Sequence, residues 1–104
     1  MEELNKKIAV WLGWEFASNG KKYRLSPEAS GWGRIDLLPK FTESLDACFK
    51  YIVPKLESYM IKQNIWGTEH HCWIMFGGKP ATSSEETPAL AFCKAVEKLI
   101  DDIT

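Results

Sequence analysis

The sequence of 104 residues predicts an α+β domain, arranged as a three-layer α-β-α sandwich with a small antiparallel sheet covered by helices on both sides. Three observations support this fold class. Apolar residues recur at helical spacing near the start, the middle and the end of the chain. A hairpin-like stretch follows the first of these segments, and one apolar strand precedes the last. We therefore expect a single domain over residues 1–104, whose sheet consists of the hairpin and that central strand.

The first helix is predicted over residues 2–12. Leu4, Ile8, Trp11 and Leu12 share one helical face, and Gly13 suits the left-handed cap that ends a helix. In the stretch WEFASNGKKYRLS, residues 14–26, large and polar side chains alternate on each side of an Asn-Gly pair that accepts positive φ, which predicts a β-hairpin. Residues 26–40 hold two prolines and two glycines and are predicted to be a loop.

A central helix is predicted to begin at Thr42, because an apolar face follows it at helical spacing. That face consists of Leu45, Cys48, Phe49, Ile52 and Val53. Pro54 lacks a backbone donor, so the helix is expected to kink there or to restart with Leu56, Tyr59, Met60 and Gln63.

The stretch EHHCWIMFGG, residues 69–78, is predicted to contain the central strand, with Gly77-Gly78-Lys79-Pro80 turning the chain away from it. Thr87 and Pro88 are typical of a helix start, as N-cap and first helical residue. The apolar stripe of this last helix consists of Ala89, Phe92, Cys93, Val96, Leu99, Ile100 and Ile103.

The composition restricts the classes of partner. The formal net charge is -1, which offers no overall field for nucleic acid or for an anionic membrane. The sequence contains no apolar run long enough to span a bilayer, and its N-terminus lacks a signal-peptide pattern, so we expect a cytoplasmic protein that binds neither membranes nor nucleic acid. Three cysteines without a C-x-x-C pair indicate reduced thiols.

The two histidines and the cysteine of the strand invite a metal or catalytic interpretation. Alternation along a strand places His70 and Cys72 on one face and His71 on the other, so the two histidines do not readily share a metal. A zinc site would need Cys48 or Cys93 from a helix, and both lie in apolar stripes. We therefore expect no metal, no cofactor and no catalytic residue, although a small Cys/His enzyme based on Cys72 remains an alternative.

The most suggestive surface feature is Trp32, held between two glycines and followed by Arg34. An indole beside a guanidinium can stack on a planar ligand or anchor a partner, whereas a loop tryptophan can also simply fold back over the core. The hairpin tip adds Lys21, Lys22 and Arg24 as a local cationic patch for phosphates. Trp66, beside a glycine, is a second loop tryptophan with the same two interpretations.

Three segments together resemble a family of small phage proteins, the phage ABA-sandwich domain. They are IAVWLGW at residues 8–14, PKFTESLDA at residues 39–47, and TPALAFCKA at residues 87–95. The resemblance implies an α-β-α sandwich and an accessory product of a phage or prophage genome. It implies no catalytic motif, so no site residue is transferred to this chain.

The leading hypothesis is a non-enzymatic, phage-derived binding protein in the host cytoplasm. It would counteract host defence by sequestering a small anionic, nucleotide-like signal at Trp32, Arg34 and the neighbouring cations. A homo-oligomer with ligand pockets between subunits would explain loop tryptophans in so short a chain. The alternatives are a protein that binds a host protein, or a structural interaction subunit.

Overall fold

A computed structural model describes residues 2–24, 32–63 and 67–103. Within these residues the chain forms three α-helices and two three-stranded antiparallel sheets, which makes it an α+β protein as predicted. The elements in chain order are α1 (Glu2–Trp11), β1 (Glu15–Phe16), β2 (Lys22–Arg24), β3 (Gly33–Arg34), a 3-10 turn (Ile35–Leu37), α2 (Leu45–Ala47), β4 (Ser58–Gln63), β5 (His70–Phe76), β6 (Lys79–Glu85) and α3 (Pro88–Ile103).

Helix α1 ends as its sequence predicts. Gly13 has φ +90°, the Gly13 N–H donates to Val10 O, and the Trp14 N–H donates to Ala9 O over 3.0 Å. This pair of bonds is a Schellman motif, which needs a residue that tolerates the left-handed conformation. The motif reverses the chain and places Trp14 directly under the first sheet.

The first sheet consists of β1, β2 and β3 in that order. The predicted hairpin is confirmed, since β1 and β2 pair antiparallel and Gly20 has φ +71° in the turn. The third strand comes from the stretch predicted to be a loop, with Tyr23 opposite Gly33 and Lys22 opposite Arg34. Strand β3 has only two residues, too few for an alternation to stand out in the sequence.

The second sheet has the order β4-β5-β6, so the predicted strand is confirmed as β5 and is central in its sheet, with antiparallel neighbours on both sides. Its two partners were not predicted. Residues 58–63 were expected to continue a helix, but they form β4, in which Tyr59 and Ile61 alternate with polar or exposed residues. Helical spacing of Tyr59 and Met60 was therefore a misleading signal, because a short apolar run fits either period.

Strand β6 follows a two-residue turn at Gly77 and Gly78, whose φ angles are +59° and +77°. Positive φ at both central residues is the geometry that matches the twist of a hairpin, and Gly-Gly is one of its sequence signatures. Glu57 stabilises the turn, because its carboxylate accepts a hydrogen bond of 2.8 Å from the Gly78 N–H. The turn was predicted, but the strand after it was not.

The predicted single sheet of hairpin plus central strand is therefore wrong, since the hairpin and β5 belong to different sheets. The helices also differ from the prediction, which placed them on both faces of one sheet. Helix α3 packs on the face of the second sheet that contains Cys72 and Ile74, and Trp11 of α1 contacts Phe76 on that same face at 5.4 Å between ring centroids. The opposite face contains Trp73, and its neighbour Met60 is exposed.

The central helix is shorter than predicted and irregular. Its N-cap is Ser44 instead of Thr42, and α2 continues as a π-helical turn (Cys48–Ile52) and a 3-10 turn (Val53–Lys55). Pro54 cannot donate to the preceding turn, so a regular α-helix loses a bond there and the chain changes its helical pitch. Cys48 and Ile52, one π turn apart, are both buried.

The core lies between α3, α1, the central helix and the second sheet. Thr87 caps α3 as predicted, with its hydroxyl accepting from the Leu90 N–H at 3.1 Å. Among the other tryptophans, Trp14 is buried, whereas Trp11 and Trp73 are half-buried. The predicted stripe of α3 is buried except at Ile103, which lies near the end of the chain and is exposed.

Replacement of Ile74 tests the importance of the central strand. Ile74→Ala should lower the free energy of unfolding by about 2–5 kcal/mol, because the fully buried side chain leaves a cavity beneath α3. Lys62→Gln on the exposed side of β4 is the matched control and should change it by about 0.5 kcal/mol or less. Urea denaturation measures both values, and equal small effects would contradict this packing.

Candidate functional site

Four of the six residues singled out by the sequence come together on one face of the first sheet. We call this surface the cationic face and define it by Lys22, Arg24, Trp32 and Arg34. Alternation along β2 places Lys22 and Arg24 on the side opposite Tyr23, and the pairing of Lys22 with Arg34 extends that side onto β3. Lys21 lies in the turn beside this face, and Trp66 lies outside the described residues.

Arg24 covers the indole of Trp32, with its guanidinium carbon 4.3 Å from the ring centroid. This is a cation-π contact, although the sequence suggested Arg34 as the partner of the indole. The Trp32 residue remains 42% exposed, so it does not fold back into the core. An exposed indole backed by a positive group is a suitable surface for stacking.

Glu15 fixes the position of Arg24 and was missed at the level of the sequence. Its Oε1 atom accepts a hydrogen bond of 2.7 Å from Arg24 Nη2, and the two residues are direct cross-strand partners in the hairpin. Opposite charges at facing positions of antiparallel strands are a known stabilising pair, so the hairpin register would have identified Glu15. The buried Arg24 Nε atom has no hydrogen-bond partner among the described residues.

Arg34 is far more accessible than Arg24. It forms an ion pair of 2.7 Å with Asp36, but the two side chains are 76% and 57% exposed. Ion pairs this exposed contribute little to stability and exchange readily with other anions. Lys22 is exposed and forms no ion pair with any residue that the structure describes, so two cations beside Trp32 are available to an anionic ligand.

The opposite side of the same strands anchors the face to the core. The Tyr23 ring stacks on Trp14 at 5.9 Å between centroids, and the Tyr23 hydroxyl donates to Leu37 O at 3.2 Å. Burial raises the pKa of the Tyr23 phenol. A Cβ atom on Gly33 would lie 3.1 Å from the Tyr23 ring, so one glycine of the Gly-Trp-Gly motif is explained by this close approach.

The histidine and cysteine stretch does not assemble a site of its own. His71 Nδ1 lies 2.9 Å from Ser84 Oγ on one side of the sheet, whereas Cys72 is fully buried on the other side. Burial raises the pKa of Cys72 to about 12, the opposite of what a nucleophilic thiol requires. These features count against a catalytic thiol at this position.

The core does contain a thiol pair. The sulfur atoms of Cys48 and Cys93 are 3.8 Å apart, and the Cys48 thiol donates to Phe41 O at 3.3 Å. The hydrogen bond with Cys48, and then burial, raise the pKa of Cys93. No set of three or more histidine, cysteine or acidic side chains suited to a metal ion occurs within residues 2–24, 32–63 and 67–103.

The fold is similar to that of a phage protein from Bacillus cereus, known from a 2.0 Å crystal structure. The TM-score is 0.67, the sequences are 18% identical, and the match covers 90% of this chain and 85% of the other. No protein-family model matches the chain, and no curated protein is significantly similar to it. At this identity the likeness shows a common fold and does not show a common function.

No helix within the described residues is both long and apolar enough to cross a membrane.

Thiol reactivity tests the alternative of a cysteine enzyme. At pH 8, Cys72 should react with 5,5′-dithiobis(2-nitrobenzoic acid) much more slowly in the native protein than in the urea-unfolded chain. The reason is the raised pKa, which lowers the thiolate fraction from that of an ordinary thiol with pKa 9.0. A single thiol that reacts rapidly in the native protein would instead support a catalytic cysteine.

Proposed function

We propose that this chain is a non-enzymatic binding protein of the phage ABA-sandwich type, which holds a small, planar, anionic ligand on its cationic face. A nucleotide-like signal of host defence is the ligand class that fits the proposal best. The observation that carries it is the exposed Trp32 indole, with Arg24 stacked on it and two further cations beside it.

The face contains both kinds of group that nucleotide binding without a P-loop requires. A nucleobase would stack on the Trp32 indole, an interaction that tolerates any base because each base has a π-face. Arg34 and Lys22 are direct partners across the β2-β3 pair, so their charges lie side by side for a phosphate. An incoming phosphate would replace Asp36 as the partner of Arg34.

The site is also preorganised. Glu15 holds Arg24, Arg24 holds the indole, and Tyr23 anchors β2 to Trp14 from the other side. A ligand therefore does not have to order these groups itself, which lowers the entropic cost of binding. Sequestration needs affinity and no chemistry, and such a rigid stacking surface supplies affinity.

A second candidate function, binding of a host protein or of another copy of the chain, has its own support. The face of the second sheet opposite α3 contains the half-buried Trp73 and Met75 beside Met60, which is 50% exposed. Tryptophan and methionine are both enriched in protein interfaces. This surface is distant in sequence from the cationic face, so the two candidates can be separated by mutation.

Calorimetric titration with adenosine 5′-monophosphate tests the proposal, with adenosine and ribose 5-phosphate as the two half-ligands. Trp32→Ala should weaken binding of the whole nucleotide by about tenfold to a hundredfold, since stacking of one base contributes about 1–3 kcal/mol. Arg34→Gln should reduce binding of ribose 5-phosphate but leave the weak binding of adenosine unchanged.

Lys62→Gln is the matched control, because it removes an exposed lysine from the other sheet and should bind like the unmodified chain. Native mass spectrometry of protein purified from infected-cell lysate extends the test to ligands with other bases. If Trp32→Ala and Arg34→Gln both retain full affinity for every ligand that binds, the assignment of the cationic face is wrong. A Met60→Lys variant that loses self-association or partner binding would favour the second candidate.

A further inference from the structure

A cleft of about 550 Å³ lies between α1, the 3-10 turn, the segment 38–43 and the first turn of α3. None of the six candidate ligand-binding residues from the sequence analysis lines it. Asn5 and Thr42, two polar residues with only 7% and 5% exposure, form part of its wall. Neither residue contributes a buried, unpaired side-chain atom, so the polar atoms of Asn5 and Thr42 that lack a partner keep some contact with the solvent of the cleft.

The two residues are bonded to each other through one pair of atoms only. Asn5 Oδ1 accepts a hydrogen bond of 3.1 Å from the Thr42 backbone N–H. This bond fixes the orientation of the Asn5 amide, whose NH₂ group then has no acceptor among the residues that the structure describes. The Thr42 hydroxyl likewise has no partner within the described part of the chain. The cleft wall therefore presents unused donors in fixed positions.

The charges around the cleft favour an anion. Lys6 and Lys40 line it and form no ion pair with any described residue, and the N-terminal turn of α3, at Thr87 and Leu90, adds the positive end of a helix dipole. Two carboxylates are also present. Asp36 is paired with Arg34, which lies outside the wall, so while that ion pair is intact Glu43 is the acidic group that opposes the two lysines.

The apolar part of the wall consists of Ile35, Leu38 and Leu90. A bare inorganic ion would leave this surface wet, whereas an organic anion would cover it and place its charged end near Asn5 and the lysines. We propose that the cleft is a second ligand site, which binds a small organic anion, a carboxylate or a phosphate monoester with an apolar body. The site shares none of the four residues that define the cationic face, and the ion pair between Arg34 and Asp36 links the two surfaces.

Titration with benzoate and with phenyl phosphate tests the site, followed by NMR at the Asn5 side-chain amide and the Leu90 backbone N–H. Both signals should shift saturably with one of the two anions, and the stronger one identifies the acid class. Benzyl alcohol, which has the ring but no charge, should cause much smaller shifts. Absence of a saturable shift with either anion, or equal shifts with benzyl alcohol, would overturn the proposal.

Charge variants supply a test of sign. Lys6→Gln and Lys40→Gln should each weaken binding of the anion about tenfold, because each removes a charge-assisted contact. Glu43→Gln should tighten it, since it removes the opposing charge. Lys62→Gln, away from the cleft, should leave it unchanged. All four residues are exposed, so these variants should fold. If Glu43→Gln fails to tighten binding while Lys6→Gln has no effect, the cleft is not an anion site.

Thr42→Val examines the buried donor directly, because it removes the hydroxyl but keeps the backbone N–H that bonds to Asn5. Weaker binding of the anion is expected, and unchanged binding would exclude the hydroxyl from the site. Trp32→Ala distinguishes this inference from the proposed function, since it should abolish nucleotide stacking and leave the shifts of Asn5 unchanged.

Discussion

Burial of α3 is the constraint on which the rest of the structure depends. The helix is buried over a wide arc that includes Ala91, Phe92, Ala95 and Leu99, so it needs partners on more than one side. The second sheet covers one side, and α1 and the central helix cover others. The alanines permit close approach, and the larger residues fill the gaps between the layers. The other elements of the chain therefore have to pack around α3.

The sequence predicted the elements whose geometry is determined by neighbouring residues. The structure of the other elements depends on pairing between distant parts of the chain. Gly13, Asn19-Gly20 and Thr87-Pro88 determine their backbone geometry within a few residues, and each was predicted correctly. Strands β4 and β6 form because each pairs with β5. The residues around Tyr59 are compatible with either a strand or a helix, so the pairing of β4 with β5 could not be predicted from them.

The two candidate sites also combine features that the sequence predicts with features that depend on contacts between distant residues. The residue types of the cationic face were recognisable, because exposed arginine, lysine and tryptophan near glycine are unusual together. Which arginine covers Trp32 depends on the register of three very short strands. The cleft was beyond prediction, since Asn5 and Thr42 are 37 residues apart and each alone is an ordinary polar residue near a helix start. They form a candidate site only because the fold brings them together.

The two sides of β2 have different environments, although the strand is only three residues long. Tyr23 faces Trp14 and Gly33, and a change there disturbs the aromatic packing, whereas Lys22 and Arg24 face outward. The outward residues can therefore be exchanged while the inward ones stay constant. Strand β2 thus combines a surface that can vary with a scaffold that does not have to change.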